Sequence, residues 1–352
     1  MIESTADKVL IVGPSWIGDM VMAQALFIHL KQTRPGVEID VLAPAWSDPL
    51  LARMPEVSTA INKPIGHGEL ALGRRRKLGQ QLRASNYDQA IILPNSIKSA
   101  LIPFLARIPK RTGWRGEYRY GLLNDMRHLN PEVLPLMVQR FVALAQDGKT
   151  ELPAVLPNPS LLVDAGVAKL VREKFAMAAD LPVLALCPGA EFGSAKRWPA
   201  SYFAELANEY LAQGWQVALF GSAKDGAVTE EIVSACGGHE YCFDLAGKTS
   251  LGEAVDLLSL ADAVVSNDSG LMHIAAALDR PTLVIYGATS PAFTPPLTER
   301  SAIELSDIDC APCFQRECPL QHHRCMRDTL PAQVADKLAA LLIASDKESG
   351  NL

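Results

Sequence analysis

With 352 residues, 49% hydrophobic and 20% charged, the chain has the balance of a soluble globular protein with a large core, and its length suggests about two domains. No stretch approaches the roughly 18 consecutive apolar residues of a membrane span, and residues 1–13 show no basic segment leading into a long apolar run, so neither spanning nor secretion is expected. The formal charge of −6 conceals two unlike halves: residues 1–150 hold 19 Lys/Arg against 13 Asp/Glu, and residues 151–352 hold 14 against 26.

Taken in order, Lys8–Val12 reads as a strand, followed by a Gly/Pro loop and a helix over about Asp19–Gln32. Val37–Leu42 and Gln89–Leu93 are the next strands, the latter leading into a helix over Ser96–Ala106. This alternation predicts a parallel sheet wrapped by helices. The loop Gly13-Pro14-Ser15-Trp16-Ile17-Gly18-Asp19-Met20 joins the first strand to its helix. Glycines permit the tight turn, and helix-start amides face any bound anion. The third glycine of a dinucleotide fingerprint is missing, which argues against an NAD-dependent oxidoreductase. Asp19 is placed at the helix start, where its bland role is an N-cap and its functional role a carboxylate base. Residues 74–119 hold eleven basic side chains against two acidic ones, Asp88 and Glu117. Such a region suits nucleic acid, an anionic membrane surface or a phosphorylated substrate. Arg74-Arg75-Arg76-Lys77 alone reads equally well as a solvated face.

The Pro-rich passage Leu152–Pro159 reads as a linker. Beyond it the pattern restarts, with helices at Ala168–Ala178, Ser201–Gln213, Leu251–Ala261 and Gly270–Leu278. Strands are expected at Val183–Leu186, Gln216–Phe220, Ala263–Ser266 and Thr282–Tyr286, with a last helix over Pro331–Ala344. Two loops here carry chemistry. Pro188–Pro199 is Gly-rich and holds Glu191, Phe192 and the pair Lys196-Arg197; small residues let a phosphate approach the backbone and Lys196 supplies positive charge. Ser266–His273 opens a helix after a buried strand. Ser269 and Gly270 present helix-start amides to an anion, and Asp268 stands where it could accept hydrogen bonds from sugar hydroxyls. His273 by itself reads as a satisfied core histidine. In doubly wound sheets ligands bind beyond the carboxyl ends of the strands, and here also in a cleft between domains.

Seven cysteines are present, four of them crowded as Cys310, Cys313, Cys318 and Cys325. In a chain without a secretory signal such a cluster points to metal or redox chemistry more than to structural disulfides. Cys-x2-Cys-x4-Cys-x6-Cys is not a standard zinc spacing, so a reduced structural knot is the expectation, with His322 and His323 as further ligands should a metal bind.

Together, the Gly18-Asp19 loop, the Gly-to-Lys196-Arg197-Trp198-Pro199 loop, Asn267-Asp268-Ser269-Gly270-x-x-His273-x-Ala275-Ala276 and Tyr286-Gly287-Ala288-Thr289-Ser290-Pro291 resemble the bacterial heptosyltransferase family. The resemblance spans Lys8 to about Ala340 and implies an α/β GT-B fold of two doubly wound Rossmann-like domains. Residues 1–160 would bind acceptor, 161–330 ADP-heptose, and a helix over 331–352 would pack back on the first domain, as in GT-B relatives. Residues 13–20, 93–100 and 111–117 are most similar to the subgroup that adds the second inner-core heptose of lipopolysaccharide, using heptosyl-Kdo2-lipid A as acceptor. The nearest competitor acts one step earlier, on Kdo2-lipid A. The resemblance implies an inverting transfer with no cofactor and no catalytic metal. Asp19 would deprotonate the acceptor hydroxyl, and Lys196 with the Ser269-Gly270 amides would stabilise the departing diphosphate. Glu191, Phe192, Asp268, Leu271 and His273 complete the donor site; Ser15, Trp16, Asn95, Lys98, Arg115 and Arg119 form the acceptor site. The basic face would meet the anionic acceptor, not nucleic acid, on the cytoplasmic face of the inner membrane. A nucleotide-sugar epimerase, which needs no basic acceptor face, and a metal-binding interaction module are the rival readings.

Overall fold

The computed structural model describes residues 7–66, 68–146 and 152–349; the first six residues, part of the stretch searched for a secretory signal, lie outside the described residues. Two compact units divide at the Pro-rich linker, Met1–Pro159 and Ser160–Leu352. In the first unit, β1 (Lys8–Val12), β2 (Glu38–Ala43), β3 (Thr59–Asn62), β4 (Gln89–Ile92), β5 (Lys110–Trp114) and β6 (Asp125–Arg127) form one sheet in the order β3-β2-β1-β4-β5-β6. The second unit holds β7 (Val183–Cys187), β8 (Gln216–Leu219), β9 (Cys242–Asp244), β10 (Ala263–Asn267), β11 (Thr282–Tyr286) and β12 (Ser301–Leu305) in the order β12-β11-β10-β7-β8-β9. Counted from β7, this is the succession of the first sheet read from the other edge. Every pairing is parallel, with Val9 opposite both Ile39 and Gln89, and Val265 opposite both Leu186 and Leu283.

The central strands are continuous apolar runs because helices cover both sheet faces. All five residues of β7, β10 and β11 are buried. In each sheet the strand order reverses between two neighbours, β1 and β4 in the first and β7 and β10 in the second. At such a switch point the connections after the two strands leave toward opposite faces and open a crevice between them. The sequence motifs at Gly13–Met20 and Leu93–Lys98 follow β1 and β4; those at Pro188–Pro199 and Asp268–His273 follow β7 and β10.

Several expectations shift. The first helix runs Ile17–Thr33 with Trp16 at its N-cap, so Asp19 stands in the first turn and is not the cap. That helix is buried from Met20 to Phe27 and again at His29 and Leu30, which is why its apolar residues encircle it and blur the boundary. The sequence reading passed over β3, β5 and the helices Leu72–Leu82, Met137–Ala143 and Gly226–Ala235. Leu72–Leu82 (LGRRRKLGQQL) buries only Arg75, Gly79 and Leu82, which stand at helical spacing but include a single apolar side chain, so no apolar period shows in the sequence. The last helix, Pro331–Ser349, is part of the second unit: Val334, Ala335 and Leu338 enter its core beside Trp198 and Phe203. Among the described residues, no helix is long and apolar enough to cross a membrane.

Candidate active site

The second unit's crevice is stitched by side chains that cross its switch point. Asn267, at the end of β10, donates from Nδ2 to the Pro188 carbonyl at 2.7 Å and accepts at Oδ1 from the Trp198 amide at 3.0 Å. Both ends of the Pro188–Pro199 loop are thereby fixed to the neighbouring strand. At the centre, Lys196 Nζ meets Asp268 Oδ2 at 2.6 Å, with side-chain exposures of 13% and 7%. Thr289 Oγ1 donates to the same oxygen at 2.6 Å. The Lys196 ammonium also lies 5.0 Å from the Phe192 ring centre, and the Arg316 guanidinium lies 5.5 Å from it. Lys196, Asp268 and Phe192, expected separately to touch a donor, thus form one cluster.

Beneath the cluster lies the helix Gly270–Ala277, capped by Ser269, whose Oγ accepts from the Met272 amide at 3.4 Å and sits 3.1 Å from Ser266 Oγ. Leu271 is half-buried in its first turn, where the helix-start amides lack intrahelical partners. His273, two positions further in, is buried; desolvation holds its pKa down at about 4, with Asp268 pulling upward and Lys196 downward. It is a neutral imidazole at physiological pH. Glu191 lies apart from the cluster, exposed and ion-paired with the exposed Lys224 at 2.5 Å, a pairing of small energetic weight in solvent. Gly189 is required for packing: a Cβ there would stand 2.6 Å from Asp225 Cγ. Asp225 in turn accepts from the Ser222 amide and hydroxyl at 2.9 and 2.8 Å.

In the first unit the other predicted residues lie just after β1, β4 and β5. Ser15 and Asp19 are half-buried and Trp16 is exposed. Asn95 and Arg115 are exposed, and the Arg115 guanidinium lies 5.9 Å from the Tyr120 ring centre. Lys98 is half-buried and donates to the Gly68 carbonyl at 2.7 Å. Arg119 departs from expectation: it is 0% exposed. Its NH1 donates to the Pro94 carbonyl at 2.8 Å, and its NH2 donates to the Trp114 carbonyl and to Asn95 Oδ1. An enclosed guanidinium surrounded by carbonyls cannot meet an acceptor; it fixes the loop that presents Asn95. Arg75 is likewise buried, donating to the carbonyls of Leu70, Lys98 and Glu69, so the basic run is only partly a surface.

Sequence reasoning missed Thr289, Arg316 and Asp225. Thr289 lay inside a quoted motif but carried no assigned role. Arg316 and Asp225 act on the site from loops with no phosphate-binding signature, and only tertiary contact places them there.

A family profile described as glycosyltransferase family 9 (heptosyltransferase) matches residues 75–324. Lipopolysaccharide heptosyltransferase 2 of Salmonella typhimurium is 49% identical over 342 residues, covering 95% of this chain and 98% of that protein. Lipopolysaccharide heptosyltransferase 1 of Pseudomonas aeruginosa is 30% identical over 369 residues, covering 96% and 99%. The solved structure of Escherichia coli ADP-heptose LPS heptosyltransferase II matches with a TM-score of 0.88 at 46% identity, covering 96% and 99%. The α/β GT-B class expected from the sequence is borne out by that match. Related over nearly its whole length and carrying the motif loops at both switch points, the chain belongs to glycosyltransferase family 9, the heptosyltransferases.

Proposed function

We propose that the chain transfers L-glycero-D-manno-heptose from ADP-heptose to the first heptose of heptosyl-Kdo2-lipid A, with inversion and without a catalytic metal. The observation that carries this reading is the Lys196–Asp268–Thr289 cluster at the second switch point. It places a shielded cation and a carboxylate at a helix start, as a nucleotide diphosphate and a sugar require. Support for this acceptor comes from the greater identity to a heptosyltransferase 2 than to a heptosyltransferase 1.

In this reading the acceptor hydroxyl loses its proton to the Asp19 carboxylate as its oxygen bonds to the anomeric carbon. The bond from that carbon to the diphosphate oxygen breaks on the opposite side, and ADP leaves with the electron pair. ADP is a good leaving group whose main need is charge stabilisation, so Lys196 and the first-turn amides of Gly270–Ala277 take the place of a general acid or a metal. Asp268 Oδ2 holds Lys196 and Thr289, and the same carboxylate accepts from heptose hydroxyls. Phe192, in contact with both the Lys196 and Arg316 cations, walls the donor site. Ser15, Trp16, Asn95, Lys98 and Arg115 meet the anionic acceptor, with Arg119 acting through Asn95. The reaction takes place in the cytoplasm at the inner-membrane surface, where the lipid acceptor lies.

The test is ADP release from ADP-heptose with heptosyl-Kdo2-lipid A and, separately, with Kdo2-lipid A. Preferential turnover of the heptosylated acceptor is the expected result. Equal or better turnover of the unheptosylated one moves the chain one step earlier in core assembly, and acceptor-independent consumption of ADP-heptose excludes the transferase reading.

A further inference from the structure

The four crowded cysteines are scattered in sequence by gaps of two, four and six residues, yet the fold brings them to one place. Cys310, Cys313, Cys318 and Cys325, together with His322, line a single cavity of about 50 Å³. That volume exceeds the ~10–15 Å³ that a lone water or ion of similar size requires. No carboxylate lines it, and its remaining walls are apolar side chains, Ala195 and Ala288 among them. Phe314, Gln321 and His323 hold left-handed φ angles of 55°, 58° and 49°, which costs these residues energy that some other interaction must offset.

We propose that Cys310, Cys313, Cys318 and Cys325 form a structural site for one soft tetrahedral cation, zinc or iron. Sulfur-only ligation in an apolar pocket excludes magnesium and calcium, which require oxygen ligands, and suits zinc or iron. Each thiol that ligates releases its proton to solvent, with no change of oxidation state. Among the described residues, no three His, Cys, Asp or Glu side chains already stand at ion-holding separations, so the ion must draw the thiols inward across the cavity. The irregular spacing, which disfavours a zinc motif in the sequence, matters less once the fold has gathered the sulfurs.

The site would brace the loop that carries Lys196. The Arg316 carbonyl accepts from the Ala195 amide at 3.1 Å, and the Phe314 amide donates to the Ala288 carbonyl at 2.7 Å. Gly287 presses on the same segment, since a Cβ there would lie 2.5 Å from Met326 Sδ and 3.0 Å from Cys325 Sγ. An ion at the cysteines therefore fixes the floor beneath Lys196 and Phe192 without touching the reacting atoms.

The experiment uses the full chain purified without chelators. Elemental analysis should find zinc or iron at one atom per chain. Cobalt(II) added to metal-depleted, reduced protein should give the intense visible bands and sulfur-to-cobalt charge-transfer bands of a tetrahedral thiolate site. Cys313→Ser and Cys318→Ser should lose both signals, whereas Cys236→Ser should keep them. Should the two cluster variants fail to fold, thiol titration of the wild-type chain decides: the cluster thiols should react only after a chelator strips the ion. A metal-free chain with freely reactive cluster thiols overturns the proposal. So does a chain lighter by two hydrogens for each disulfide formed among them.

Discussion

At the scale of single residues, the Lys196–Asp268 pair dominates the electrostatics of the second unit's crevice. Two nearly enclosed opposite charges at 2.6 Å stabilise each other little beyond their desolvation cost, but removing one leaves the other unpaired, at about 3–5 kcal/mol. Lys196→Ala should therefore lower the melting temperature as well as turnover, the latter by at least about 10-fold, the equivalent of ~1.4 kcal/mol. Adding Asp268→Asn should recover part of the melting loss, because no orphan charge remains, and recover none of the turnover. A double variant with restored activity would show that Lys196 serves Asp268 alone. Asp19 gives a different pattern. It stands in the first turn of Ile17–Thr33, with Trp16 at the N-cap, so Asp19→Asn removes about 0.3–1 kcal/mol of helix-terminus electrostatics while keeping a side chain of the same shape. Its kcat should fall at least about 100-fold if it takes the acceptor's proton; unchanged turnover places the base elsewhere. His273 adds a pH signature. Its pKa is near 4 when folded and about 6.5 when exposed, so between these values the unfolded chain binds the extra proton. Stability is full above about pH 6.5 and is lost as pH falls through 4, by up to about 3 kcal/mol. His273→Gln should flatten that part of the stability-against-pH curve, read by denaturant unfolding.

The loops after the strands act as units, and the first unit's loop after β4 is held from two sides. Arg119 ties Pro94 and Asn95 to Trp114, while the Glu117 carboxylate accepts from the Ile97 amide at 2.5 Å, at the start of the helix Ile97–Leu105. Gly116 closes against this loop: a Cβ there would lie 2.8 Å from Asn95 Cβ and 2.9 Å from the Asn95 carbonyl oxygen. Arg119→Ala removes the Arg119 donor from the Trp114 carbonyl and leaves the Pro94 carbonyl with Ser99 Oγ, which donates at 2.9 Å; at about 1–3 kcal/mol for a buried acceptor that loses its partner, it should destabilise the chain with an accompanying loss of acceptor binding. Arg115→Ala, at an exposed position, should raise the acceptor's KM and leave melting unchanged. Thermal denaturation beside steady-state kinetics separates the two. Equal melting losses would mean that Arg115 is also a packing residue.

For the molecule as a whole, the unequal charge of the two halves predicts unequal salt responses. Exposed cations such as Arg76, Lys77, Arg83 and Arg115 act through solvent, where the screening length falls to about 8 Å at physiological ionic strength. The Lys196 ammonium is shielded and already paired. Raising salt should therefore increase the acceptor's KM markedly and that of ADP-heptose much less. Parallel responses would show that the basic first unit is not where the acceptor's charge is read.

How much of this was legible beforehand depended on how local the signal was. The apolar runs of β1, β7 and β11, the Pro-rich boundary and the loops at Gly13–Met20, Pro188–Pro199 and Ser266–His273 were readable in the chain, because strand burial on both faces and phosphate-binding turns impose short-range patterns. β5 and the helix Leu72–Leu82 were not, since Lys110–Trp114 and the run around Arg75 bury polar or glycine residues that only their neighbours satisfy. The α/β class and the division into two units follow from the chain's own alternation and its Pro-rich break. Tertiary structure alone decided that Lys196 and Asp268 are partners, that Arg119 is an internal strut, that the last helix completes the second core, and that four unevenly spaced cysteines share one cavity. The Lys196–Asp268 pair and the packing of the last helix beside Trp198 depend on contacts between residues far apart along the chain; the burial of Arg119 and the shared cavity depend on how nearby loops fold back, and no local pattern encodes either.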